Sequence, residues 1–280
     1  MIMRKRKVLK PSEGAAAVVT GAANGIGRCF AYEIVRRGGS VICVDIDEEL
    51  ANKTAEELSE LGEGRAIGYK CDVADEEQMR VLSEQAETLL GRPVTLLINN
   101  AGIAVAGSIG EQSLDDWRAA IDVNLWGVVY GCHYFVPKLR ELGFGGIINV
   151  ASAAGFAAIP GTAAYSASKA AVLAMSEALA GEMTGSGVHV TTLCPTAVNT
   201  NILERGRMNS GINEFTNKIK DNWVFVASPE NVASGTLDAL DRNNMYFMPQ
   251  FDSRLGWRLK RYAPRTYARA LGEIYRLTAS

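Results

Sequence analysis

The sequence predicts a single α/β domain built on a doubly wound parallel sheet with helices on both faces. Three observations carry this reading. Short apolar runs recur along the chain, stretches of helical period separate them, and the runs are near-continuous rather than alternating. Unbroken apolar strands separated by helices indicate a parallel sheet covered on both faces.

Taken in order, residues 15–20 (AAAVVT) form an apolar run ending at a glycine, and Ile26, Phe30 and Ile34 follow at helical spacing. Residues 41–44 (VICV) predict the second strand and residues 48–61 a charged helix. Ala66–Lys70 predicts the third strand, after which Met79, Leu82, Ala86, Leu89 and Leu90 share one helical face. Residues 94–98, 146–150 and Val188–Leu193 predict further strands, with long helices near 113–142 and 165–184. A ligand is expected outside the carboxyl ends of the strands, at the topological switch point.

Composition narrows the class. With 280 residues, 48% hydrophobic and 21% charged, the chain can bury a large core, which excludes a disordered chain, a collagen-like repeat or a small disulfide scaffold. A formal net charge of −2 argues against a nucleic-acid partner. That balance hides two basic ends. Arg4, Lys5, Arg6, Lys7 and Lys10 crowd the first ten residues, and seven bases stand among residues 251–280. The expected organisation is a basic N-terminal extension (1–11), the α/β domain (12–250) and a basic amphipathic C-terminal extension (251–280). Five scattered cysteines without a CxxC pair fit a reducing, cytoplasmic compartment. His133 and His189 stand in no ligand spacing, so no metal site is expected. Pro11-Ser12-Glu13-Gly14 follows the basic N-terminus where a signal peptide would need an apolar stretch.

The turn after the first strand reads Thr20-Gly21-Ala22-Ala23-Asn24-Gly25-Ile26-Gly27. Glycines there let backbone N–H groups approach a pyrophosphate at a helix N-terminus, where the dipole favours an anion. Its position between a buried strand and an amphipathic helix is the context such a site requires. Asp45 ends the second strand, placed to accept hydrogen bonds from adenosine ribose hydroxyls and to repel a 2′-phosphate, so NAD is expected over NADP. The same stretch offers a simpler use for Asp45 or Asp47, N-capping the next helix.

From here the chain resembles the classical short-chain dehydrogenase/reductase family over roughly residues 12–250, which is of Rossmann type. The turn has that family's TGxxxGIG spacing; Cys71-Asp72-Val73 resembles its acidic residue near the adenine; Asn99-Asn100-Ala101-Gly102 matches its NNAG motif. Asn124, Ser152 and the YxxxK of Tyr165 and Lys169 match its catalytic set, in order and at family spacing. The resemblance implies a dinucleotide site of Gly21, Asn24, Gly25, Ile26, Gly27, Asp45, Asp72, Val73, Asn99, Ala101, Gly102, Tyr165, Lys169, Pro195, Val198 and Thr200. Asn99 would line the ribose, Val198 would reach the nicotinamide through its backbone, and Thr200 the carboxamide or pyrophosphate. Lys169 would also bind the nicotinamide ribose.

Tyr165 and Lys169, four apart, share one helix face. A tyrosine near its reference pKa of ~10 is a poor base at neutral pH, and lowering it by about 3 units requires roughly 4 kcal/mol of differential interaction. A nearby ammonium and the positive nicotinamide ring both act in that direction. Tyr165 would then exchange the hydroxyl proton, Ser152 would hold the substrate oxygen, and Asn124 would place a water linking Lys169 to solvent. One departure stands out: where the family usually has Pro-Gly after the sixth strand, this chain has Pro195-Thr196, which gives up positive-φ freedom at the pocket rim.

Residues 201–226, where the family carries its substrate lid, mix charge with apolar bulk. Ala104, Val105, Ala106, Ala153, Phe156, Ala157 and Ile159 are expected to line the pocket, which favours a lipophilic secondary alcohol or ketone. The C-terminal extension interleaves Trp257, Leu259, Tyr262, Tyr267, Leu271 and Tyr275 with its bases. Two readings stand for it: peripheral contact with an anionic membrane, or packing on its own domain or a partner subunit. A homodimer or homotetramer through the two long helices is expected. The alternatives to a dehydrogenase are a non-catalytic dinucleotide sensor or scaffold and a lyase or epimerase on the same fold.

Overall fold

The computed structural model describes residues 10–61, 64–199, 206–208 and 226–278. Residues 1–9, most of the expected lid, and Thr200 lie outside the described residues. In chain order the strands are β1 (Ala16–Thr20), β2 (Ser40–Asp45), β3 (Ala66–Lys70), β4 (Leu96–Asn99), β5 (Val105–Ala106), β6 (Gly145–Val150), β7 (Val188–Leu193), β8 (Arg207–Met208) and β9 (Tyr246–Phe247). The helices are α1 (Gly25–Arg36), α2 (Glu48–Ser59), α3 (Glu76–Leu90), α4 (Leu114–Ile121), α5 (Gly127–Leu142), α6 (Ala154–Ala157), α7 (Ala163–Glu182), α8 (Pro229–Asp241), α9 (Phe251–Tyr262) and α10 (Pro264–Thr278).

The main sheet runs β3-β2-β1-β4-β6-β7-β9, and every pairing in it is parallel. β5 and β8 pair separately. The central strands β1, β4 and β6 are buried along their whole length, so their side chains face helices on both sides. One apolar layer gathers Met79, Leu82, Leu97, Phe135, Leu139 and Ile147; the other gathers Phe30, Ile34, Leu96, Ile98, Leu237 and Leu240. The strand order reverses between β1 and β4, which opens the expected crevice.

Helix ends follow their caps. Asp47, Asp75, Ser113 and Ser228 each accept a backbone N–H in the first turn of α2, α3, α4 and α8. The single helix expected near 113–142 is α4 and α5 joined by a π-helical turn over Asp122–Trp126. Periodicity alone does not distinguish such a turn, because flanking α-helical periods conceal one extra residue.

Arg37, after α1, ties the N-terminal edge together. Its guanidinium donates to Glu33 (2.9 Å), Ser12 (2.8 Å) and Asp238 (2.8 Å) and lies 3.5 Å from Asp241. Hydrogen bonds from Arg36 and then Arg37 outweigh burial and hold the Glu33 carboxyl at about 2. Removing a largely buried partner strands the opposing charges. Arg37→Ala is therefore expected to lower unfolding free energy by about 3 kcal/mol in urea titration. With a depressed folded-state value, the Glu33 contribution is present above the usual carboxylate range and is lost as pH falls toward 2.

The C-terminal extension starts by packing on its own domain. Ser253 is buried, and the Trp257 ring centre lies 6.2 Å from that of Tyr246, with the Arg261 guanidinium 5.3 Å from the Trp257 ring centre. Further along, Leu255, Leu259, Tyr262, Ile274 and Leu277 are exposed. Among the described residues, no helix is long and apolar enough to cross a membrane.

Candidate active site

The carboxyl ends of β1, β2, β4, β6 and β7 surround a cleft of about 410 Å³. Gly21, Asn24, Gly25, Ile26, Asp45, Asp72, Val73, Ala101, Gly102, Ser152, Tyr165, Lys169, Pro195 and Val198 all line it. The structure thus gathers residues spread over nearly 180 positions around one cleft.

The glycine turn is shaped by close approach. Gly21 has φ +64°, and a Cβ there would lie 2.9 Å from the Ala101 Cα. At Gly27 a Cβ would fall 2.0 Å from the Gly21 carbonyl oxygen, so the first turn of α1 can sit against the loop only without a side chain. Gly27 therefore shapes the cradle without lining it. Asn24 occupies the N-cap of α1 but makes no capping hydrogen bond, and its buried Nδ2 has no protein partner. An unpaired donor beside a helix N-terminus fits an anionic group such as a pyrophosphate.

Asp47, not Asp45, caps α2 by accepting the Leu50 N–H at 3.1 Å. Asp45 lines the cleft and accepts the Ala23 N–H (3.1 Å) and the Asp47 N–H (3.1 Å), which fixes its carboxylate at the cleft edge. Asp72 is held similarly by the Ala74 N–H at 3.0 Å.

The NNAG segment behaves differently from expectation. Asn99 is 2% exposed, and its Nδ2 donates to Asn149 Oδ1 at 2.9 Å, away from the cleft. Its side chain does not border the cleft: as the last residue of β4 it stands in register with Asn149, to which it is bonded. Asn100 lines the cleft instead, and its Nδ2 donates to the carbonyls of Thr20 (2.9 Å) and Gly21 (3.1 Å). The Thr20 hydroxyl accepts the N–H groups of Asn100 and Ala101, both at 3.0 Å. These bonds lock the β1 and β4 loops together across the switch point. The sequence alone gives Asn100 no part beyond its place in the NNAG motif.

At the other end of the cleft stand Ser152, Tyr165 and Lys169. Ser152 follows β6 and accepts the Ala154 N–H at 3.1 Å. Lys169 is buried on α7; its Nζ donates to the Val150 carbonyl (2.8 Å) and lies 5.9 Å from the Tyr165 ring centre. Burial lowers the Lys169 ammonium to about 8. Burial also pushes the Tyr165 phenol up, and the hydrogen bond with Ser152 opposes it only in part. Desolvation thus dominates at Tyr165 in the chain alone, and the expected lowering by Lys169 does not show there.

Asn124 sits in the π turn, fully buried behind the cleft. Its Oδ1 accepts the Ile103 N–H (2.8 Å), and its Nδ2 donates to the Ile103 carbonyl (3.0 Å) and to Ser168 (3.2 Å). A Cβ on Gly102 would lie 3.0 Å from Asn124 Oδ1 and 3.3 Å from Lys169 Nζ, so the missing side chain leaves room between the two.

None of the seven residues expected to form the apolar wall, Ala157 and Ile159 included, borders the cleft; other residues do. Ile103, Val123, Val150, Ala151 and Val198 border the cleft. Ala104, Val105, Ala106, Ala153 and Phe156 are buried and do not border it. The short β5 pairing draws Val105 and Ala106 against Arg207–Met208. Thr196 has no positive φ, so the departure from glycine introduces no backbone strain there.

This arrangement defines a dinucleotide-type α/β domain with a Ser-Tyr-Lys constellation at the cleft. The short chain dehydrogenase family model matches residues 15–210, and the chain belongs to that family. It is 40% identical over 186 residues to "Probable oxidoreductase EphD" of Mycobacterium tuberculosis; that match covers 66% of this chain but only 31% of EphD. It is 35% identical to meso-2,3-butanediol dehydrogenase of Serratia marcescens, over 78% of this chain and 83% of that one. A short chain dehydrogenase/reductase from Burkholderia phymatum in complex with NAD superposes with TM-score 0.85 at 27% identity, covering 92% of this chain and 96% of the other.

Proposed function

We propose that the protein transfers a hydride between NAD(H) and a secondary alcohol/ketone pair of lipophilic character. The observation that carries this reading is the buried Lys169 beside Tyr165 and Ser152, at the end of a cleft whose other end is a glycine cradle. The alcohol-dehydrogenase relative and the NAD-bound structural neighbour support it.

In this reading, Gly21, Asn24, Gly25 and Ile26 hold the pyrophosphate, Asp45 the adenosine ribose, Asp72 and Val73 the adenine side, and Lys169 the nicotinamide ribose. Ala101 and Gly102 form the wall beside them, and Pro195 and Val198 the nicotinamide side. Bound dinucleotide supplies the hydride acceptor or donor and, when oxidised, a positive ring. Tyr165 takes the hydroxyl proton during oxidation and returns it during reduction. Ser152 donates to the substrate oxygen as its charge changes. The Lys169 ammonium favours phenolate at Tyr165, and the space beside Gly102 gives a route from Lys169 toward Asn124. The apolar border of Ile103, Val123 and Val198 favours substrates with hydrocarbon flanks.

The test is a panel of aliphatic and aromatic alcohols and their ketones, followed by NADH and NADPH absorbance in parallel. NAD(H) turnover with a secondary alcohol is the expected result, and product without net NADH change would point to a lyase or epimerase. Asp45→Ala is expected to lower kcat/KM for NAD about tenfold while leaving NADP turnover equal or higher, because a carboxylate hydrogen bond is lost and an anion removed. A clear NADP(H) preference in the native protein would overturn the assignment of Asp45.

A further inference from the structure

The loop after β7 borders the cleft through Pro195, Thr196 and Val198. On its inner side it is bonded to the Ser152 segment, where the Ala153 N–H donates to the Pro195 carbonyl at 2.8 Å. On its outer side it is gripped by Gln250 and by the start of the C-terminal extension that follows it. Gln250 Oε1 accepts the Thr196 N–H at 3.1 Å, and Gln250 Nε2 donates to the Ala197 carbonyl at 2.7 Å. The Thr196 hydroxyl donates to Asp252 Oδ1 at 3.0 Å, and the Ser253 hydroxyl donates to the Cys194 carbonyl at 3.0 Å. Gln250 and Ser253 are buried, so these bonds are sheltered from competing water.

Three loop residues, Cys194, Thr196 and Ala197, are thus bonded to Gln250 and to Asp252 and Ser253 just after it, using backbone and side-chain groups alike. A glycine at position 196 would lack the hydroxyl that reaches Asp252. The unusual Thr196 and the extension therefore make one device. The far end of the extension is fastened to the loop after β5, where the Tyr275 and Ser108 hydroxyls lie 3.2 Å apart.

We propose that the C-terminal extension is a positioning element of the site, with Gln250 and Thr196 fixing the Pro195–Val198 loop against which the nicotinamide end of the dinucleotide is held. This rests on the dinucleotide reading above for its functional consequence, but the clasp itself is testable without ligand. Gln250→Met and Thr196→Val each remove polar partners while keeping bulk. Amide hydrogen exchange in the unliganded protein is expected to speed up about tenfold at Thr196 and at neighbouring loop amides in Gln250→Met, with exchange in β1 and β4 unchanged. Thr196→Val should do the same more weakly, and Thr196→Ser should restore native exchange.

In the same variants the dissociation constant for NADH is expected to rise about tenfold for Gln250→Met, with kcat at saturating dinucleotide held within about twofold. A merely structural role would lower kcat and thermal stability together. Unchanged loop exchange in folded Gln250→Met overturns the clasp. Faster exchange with unchanged NADH affinity overturns its positioning role. If the native protein binds neither NADH nor NADPH, the functional reading falls, and loop exchange alone decides the clasp.

Discussion

Replacing Tyr165 by phenylalanine is expected to lower kcat/KM for alcohol oxidation about 10³-fold, within the range a positioned acid–base group contributes. NADH affinity should stay within about twofold, because the ring remains and only the hydroxyl is lost. The pH dependence gives the sharper check. Burial holds the Tyr165 phenol up in the chain alone. Oxidation needs the phenolate, so its kcat/KM should climb with pH through an alkaline limb. Reduction needs the phenol, so it should hold at neutral pH and fall where oxidation rises. Steady-state rates in both directions across that range measure this, and unchanged turnover in the phenylalanine variant would remove Tyr165 from the chemistry.

Lys169→Met is expected to lower kcat/KM for oxidation about 10³-fold as well, for a different reason. The methionine keeps most of the bulk on α7 but removes the cation beside the Tyr165 ring and the donor to the Val150 carbonyl. Without the ammonium, phenolate is less favoured, so the alkaline limb for oxidation should move to higher pH. Because Lys169 itself is lowered to about 8, the native limb reports the pair rather than either group alone. Dinucleotide affinity should weaken in this variant, unlike Tyr165→Phe, since Lys169 is also proposed to hold the ribose. Parallel NADH titrations of the two variants separate the roles.

Most of the sheet was legible because buried parallel strands leave a direct mark: runs such as VVT and VICV need neither alternation nor context to be read. The Ser-Tyr-Lys constellation was legible for a related reason. Ser152, Tyr165 and Lys169 come from one strand end and one helix, so sequence spacing preserves their geometry. Asn99 shows where that stops. A motif gives the order of residues but not which of two adjacent asparagines turns into the sheet; the register pairing with Asn149 decides it. The clasp on the β7 loop was hidden more deeply. Its partners stand 53 to 59 residues apart, and Gln, Asp and Ser at a helix start are what any capped helix would show. Only the odd threonine at position 196 marked the place, and it read as a loss until its hydroxyl was seen to have a partner.

The π turn at Asp122–Trp126 carries a consequence for how this chain tolerates change. α4 sits against α7 through Ala120, and α5 sits against the sheet through Phe135 and Leu139. Each helix has its own rotational phase. The extra residue between them lets both phases be satisfied at once, and it leaves Asn124 where the two phases meet. Deleting one residue there would turn one helix by about 100° relative to the other. Either Ala120 or the Phe135 face would then rotate out of contact. Length in this segment is therefore more tightly constrained than side-chain identity: the turn acts as a phase adjuster, and Asn124 stands at its pivot.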